Sequence, residues 1–99
     1  MARHIRGLSD TIVLAGAANR ARLDDVAEPR AAGRTVQGAY RQDTFQIASK
    51  HSGIDTYTVS VEVRVTRVRR IEDLQVSCSC PFGGGGWCKH AVRCLRTLL

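Results

Sequence analysis

The chain has 99 residues, 43% of them hydrophobic but only 5% aromatic, so one core built from Val, Leu, Ile and Ala is the most it can support. Fifteen basic residues, thirteen of them arginine, stand against nine acidic ones, for a net charge of +6. That balance argues against an acidic or neutral surface and suits an anionic partner, since arginine grips phosphate with two prongs. The opening "MARHIRGLSD" is polar and "TIVLAGAA" is too short to span a bilayer. Neither reads as a signal peptide or a membrane anchor, and an intracellular, reducing compartment is expected.

In chain order, Ser9 or Asp10 is a potential N-cap for a helix over residues 9 to 22, "SDTIVLAGAANRAR". "LDDVAEPRAAG" then reads as a connection interrupted by Pro29 and Gly33. From Arg34 the hydrophobic period becomes two. "RTVQGAY" predicts a short strand, and "TFQIAS" alternates Phe45 and Ile47 against Thr44 and Gln46. "HSGID" predicts a turn at Gly53. "TYTVSVEVRV" is the clearest element: Tyr57, Val59, Val61, Val63 and Val65 point one way, with polar residues opposite. A reversal must fall within "TRVRRIED", after which Leu74, Val76, Cys78 and Cys80 share a face. The chain ends in an amphipathic helix. Ala91, Leu95 and Leu98 form its apolar face with Val92 and Leu99, and Lys89, Arg93 and Arg96 its basic face.

Three of the four cysteines and one histidine fall within "CSCPFGGGGWCKH", residues 78 to 90. Cys78 and Cys80 lie two apart on a strand, so their thiols project to one side. Cys88 and His90 open a helix. Pro81 and the glycines at 83 to 86 supply the bend that joins the two pairs. Three thiolates and an imidazole suit a closed, structural Zn²⁺ site, which would bring the loaded charge to roughly +5. The alternatives left open are replacement of His90 by Cys94, an iron–sulfur cluster on four cysteines, or disulfides. Cys94 also reads as core filling. His4 and His51 read as exposed loop residues.

The pattern Cys78-x-Cys80-Pro81, a variable loop, Cys88-Lys89-His90 and an apolar helix resembles the SWIM zinc finger, and the strands before it resemble the sheet leading into that finger. The resemblance implies zinc binding at Cys78, Cys80, Cys88 and His90, and a role in DNA binding or protein interaction. The expected architecture is a single α+β domain. Residues 1–33 hold the N-terminal helix and connection, 34–77 a small antiparallel β-meander, and 78–99 the zinc finger ending in a helix.

Catalysis is not expected. Four protein ligands leave no open metal position, no Glu sits one or two residues from a ligand, and Gly83 to Gly86 lacks the Gly-Lys-Ser/Thr of a phosphate loop. Arg64, Arg67, Arg69 and Arg70 crowd into seven residues with no acid among them, and Lys89, Arg93 and Arg96 line one helix face. Trp87 and Phe82, in the finger loop, are candidates to stack on bases. The expected partner is nucleic acid, DNA before RNA, held mainly through phosphates. The second expectation is an adaptor docking on a larger protein. Neither a membrane nor a small-molecule substrate is expected.

Overall fold

A computed structural model describes residues 4–18, 26–48, 56–80 and 86–99. Helix α1 spans Asp10–Gly16, and strands β1 to β4 span Arg30–Gln37, Tyr40–Ala48, Thr56–Val63 and Leu74–Cys78. Helix α2 spans Lys89–Arg96. The strands form one antiparallel sheet in the order β1-β2-β3-β4. The α+β meander expected from the sequence is the observed fold.

The inward face of β3 follows from its alternation: Val59, Val61 and Val63 are buried while Thr56 and Thr58 are exposed. β4 repeats the pattern with buried Leu74 and half-buried Val76 and Cys78. The apolar stripe of α2 packs on this pair of strands. Ala91, Val92, Cys94, Leu95 and Leu98 are all at most 2% exposed and join Val13 of α1 in one cluster. Burial of this kind stabilises by roughly 25 cal/mol per Å² of apolar surface. The N-terminal segment is stitched across the end of the sheet. Ile5 is buried, its N–H donates to the Leu98 carbonyl at 2.8 Å, and the Val68 N–H donates to the Arg6 carbonyl at 2.8 Å.

Several boundaries differ from the sequence reading. Helix α1 ends at Gly16, not at residue 22. Ser9 caps it, accepting from the Ile12 N–H at 3.3 Å, but Ala17 is already extended and bridges to Trp87. The pull of that tertiary bridge outweighs the helix propensity of the alanines. The expected connection through residue 33 is also shorter, because β1 begins at Arg30 and Gly33 lies inside it, next to a register shift between Ala31 and Gly33. "RTVQGAY" is not one strand. It breaks at Gly38, whose φ of +63° makes the β1–β2 turn. Val65 lies beyond the end of β3 and is 39% exposed. The turn expected at Gly53 and residues 19–22 of the expected helix lie outside the described residues, as do Phe82 and His51.

β1 is exposed along all eight residues, since α2 packs over β3 and β4 and α1 packs against α2. Its attachment to β2 is polar. Asp43, only 3% exposed, accepts from the Arg34 Nε and the Arg41 Nε, each at 2.7 Å. Asp43 shares the inward parity of Phe45 and Ile47, so a carboxylate occupies what would otherwise be a third apolar position on β2. Two guanidinium groups make that burial tolerable.

Candidate metal centre

The sheet brings the first two ligands to the mouth of the core. Cys78 ends β4 opposite Val59, and the chain beyond it is held against β3 by Ser79. The Ser79 N–H donates to the Thr58 carbonyl at 3.1 Å, and the Ser79 hydroxyl accepts from the Thr58 N–H at 2.9 Å. Cys80 is thereby kept on the side of Cys78. The other two ligands come from the start of α2: Cys88 is its N-cap residue and His90 lies in its first turn. The ligand atoms of Cys78, Cys80, Cys88 and His90 all lie within 4.8 Å of one another. The Cys88 Sγ and His90 Nδ1 are 3.9 Å apart, close to the roughly 3.6 Å separating two ligand atoms about 2.0 to 2.3 Å from one tetrahedral zinc. A cavity of about 100 Å³ lies between the three thiols, walled by Val76, Trp87 and Ala91.

The electrostatics favour a bound cation. The Cys88 thiol is held down to about 4, first by its hydrogen bond with the Cys78 thiol and then by the Ala91 backbone at the helix start, against the opposing effect of burial. The Cys78 thiol moves the other way, raised first by the same pairing with Cys88 and then by burial. The pairing thus favours ionisation of one sulfur, the form in which a thiol binds a metal. Cys94 behaves differently. It is fully buried in the α2 core, and burial pushes its thiol up to about 12. Cys94 does not belong to the cluster among the described residues, so the core-filling reading fits it and the ligand set is three thiols and an imidazole.

Around the ligands stand residues that sequence reasoning missed or read otherwise. The Tyr57 ring lies 4.8 Å from that of His90, tilted by 50°, and covers it from β3. Only its place in the inward alternation hinted at this. Ser79, which ties Cys-x-Cys to β3, left no signal in the sequence. The Trp87 ring packs on Gly16: a Cβ there would come within 2.4 Å of the indole. The Trp87 N–H donates to the Gly16 carbonyl and the Trp87 carbonyl accepts from the Ala18 N–H, both at 2.8 Å. The tryptophan, a candidate to stack on bases, joins α1 to the finger and is half-buried.

The basic residues divide. Arg96 pairs with Asp10 of α1 at 2.9 Å and Arg93 with Glu28, so the helix face that is acid-free in local sequence meets acids from elsewhere in the chain. Arg64 pairs with Glu62 at 2.8 Å, and Arg70 approaches Glu72 at 3.9 Å. Arg67 and Arg69 are exposed, and neither guanidinium forms a salt bridge among the described residues, although the Arg69 backbone N–H donates to the Asp73 carboxylate at 2.8 Å.

The family model of the SWIM zinc finger matches residues 57–98, which hold β3, β4, all four ligands and α2. This part of the chain thus matches the SWIM zinc finger in sequence, and its Cys₃His cluster is positioned to bind a structural Zn²⁺. Neither a curated protein nor a solved structure matches the chain. Among the described residues, no helix is long and apolar enough to cross a membrane.

Proposed function

We propose that the chain is a zinc-stabilised nucleic-acid-binding module that grips phosphates, DNA before RNA, and performs no catalysis of its own. The observation that carries this reading is the arginine run from 64 to 70, whose arginines are all exposed and in which the Arg67 and Arg69 guanidinium groups make no salt bridge among the described residues, the nearby Asp73 carboxylate being taken up by the backbone N–H groups of Arg69 and Arg70. Such a cluster releases counterions when it meets a phosphate backbone. Zinc supplies Lewis-acid and structural chemistry, and here four protein donors close its shell, which supports a holding role rather than activation of water. Lys89, Arg93 and Arg96 are secondary contributors in this reading, because Arg93 and Arg96 already serve intramolecular pairs. Trp87 is left out of it.

The second reading is an adaptor that docks on a larger protein. It draws on β1, an edge strand exposed along its whole length and able to accept a partner strand. Salt separates the two. Binding of the zinc-loaded chain to DNA should fall steeply as salt rises, and changing Arg67, Arg69 and Arg70 together to Ala should make the log–log salt slope shallower by about 2. DNA binding that is flat in salt, or unchanged in the triple variant, would refute the phosphate reading.

A further inference from the structure

The β1–β2 turn and the N-terminal segment enclose a groove of about 290 Å³. Three large apolar residues are exposed among the described residues, and two of them, Val36 at 62% and Val65 at 39%, line this one groove. His4, Arg6 and Arg41 also line it, and no Asp or Glu does. Arg41 is held in place by Asp43 and by donating from Nη1 to the His4 carbonyl at 2.8 Å. The backbone bond from Val68 to Arg6 sets Arg6 beside the exposed Arg67. At the rim, the Arg64 guanidinium lies over the Tyr40 ring, 5.6 Å from its centre. Residues from positions 4 to 6, 36 to 41 and 63 to 66 thus converge on one concavity with an apolar lining, and Arg67 follows next in the chain.

We infer that this groove seats a single-stranded segment of nucleic acid, with a base or sugar face on Val36 and Val65 and the adjoining phosphates on Arg6 and Arg67. The inference rests on the nucleic-acid reading above and narrows it. A duplex presents phosphates and groove edges, with its base faces stacked away, and sets only thymine methyls and sugar edges against exposed valines. An unpaired strand offers both faces at once, as positively charged single-strand grooves require. The apolar lining distinguishes this groove from a bare arginine cluster; with Arg41 paired to Asp43 and Arg64 to Glu62, its positive charge rests on Arg6 and the neighbouring Arg67.

The test uses the zinc-loaded full chain, fluorescently labelled oligothymidylate, a mixed-sequence single strand and the corresponding duplex. Val36→Asp and Val65→Asp, both at exposed positions, should each weaken single-strand binding at least about tenfold and duplex binding much less. Arg6→Ala should lower the single-strand salt slope by about 0.7. Circular dichroism melting checks that each variant is folded, and Val36→Thr with Val65→Thr serves if an aspartate variant is not. If single strand and duplex bind alike and lose equally in every variant, the groove assignment fails while the phosphate reading stands. It fails likewise if Arg67→Ala weakens binding but Arg6→Ala and the valine variants do not. If the unaltered chain binds none of the probes at low salt, both readings fall. Competition by polyglutamate as strong as that by oligothymidylate overturns the groove in favour of charge alone.

Discussion

The two ends of the sheet are held by different physics. At the β3–β4 end, valines and leucines pack under α2 and four ligands converge on a metal position. At the β1–β2 end no helix covers the strands. There β1 is exposed throughout, and one buried carboxylate between two arginines ties it to β2. Coordination and apolar burial accumulate where sequence-local ligands meet a helix. The hairpin is anchored to the core through Phe45 and Ile47 of β2, while β1 depends on strand pairing and on a charged clamp whose geometry must be satisfied in full, because an unpartnered buried charge is costly. The contrast suits a protein whose anchored end is the zinc finger and whose exposed end is available for contacts.

The largest expected effect breaks the anchored end. Cys80→Ser, or removal of zinc by a chelator, should abolish stoichiometric metal content and cooperative thermal unfolding together. Structural zinc contributes on the order of 10 kcal/mol in small fingers, as much as the whole stability of a domain this size. Elemental analysis and a circular dichroism melt check this, and a variant that stays metal-loaded with an unchanged melt would refute the ligand assignment. A middle-sized effect tests the clamp. Asp43→Asn removes the charge that both arginines face and should cost about 2 kcal/mol, read as a lower urea midpoint with zinc still bound. Loss of metal in that variant would mean the two ends are not separable.

The smallest effect concerns Cys94. Its thiol is pushed up by burial to about 12 from an ordinary value of 9.0. The folded state therefore holds the proton more tightly than the unfolded chain does. The contribution is fully present below the unfolded value and is lost as pH rises through it toward the folded one. Between pH 9 and about 12 the stability of the unaltered chain should fall more steeply than that of Cys94→Ala, compared by urea denaturation at each pH. Equal slopes would show that Cys94 titrates alike in the folded and unfolded states and that its burial has no titration consequence.

Much of the finger was legible because its information is local. Cys78 and Cys80 lie two apart at the end of a strand and Cys88 and His90 share a helix start, while Pro81 and Gly83 to Gly85, expected to supply the bend between them, lie outside the described residues. The alternation of β3 was equally plain, because a strand with one buried face must repeat every second residue. The hairpin was harder to read. Gly38 sat inside what resembled a strand, and Asp43 broke the apolar parity of β2 for a reason that lies on β1, in Arg34.

The sequence by itself determined the metal ligands, the meander and the amphipathic last helix, since each follows from periodicity or from spacing along a few residues. Tertiary structure alone decided which arginines are neutralised, that Trp87 faces Gly16, and that Arg6 stands beside Arg67. These depend on contacts between residues tens of positions apart. Charge balance and side-chain direction at such places are properties of the folded packing, which local patterns do not encode.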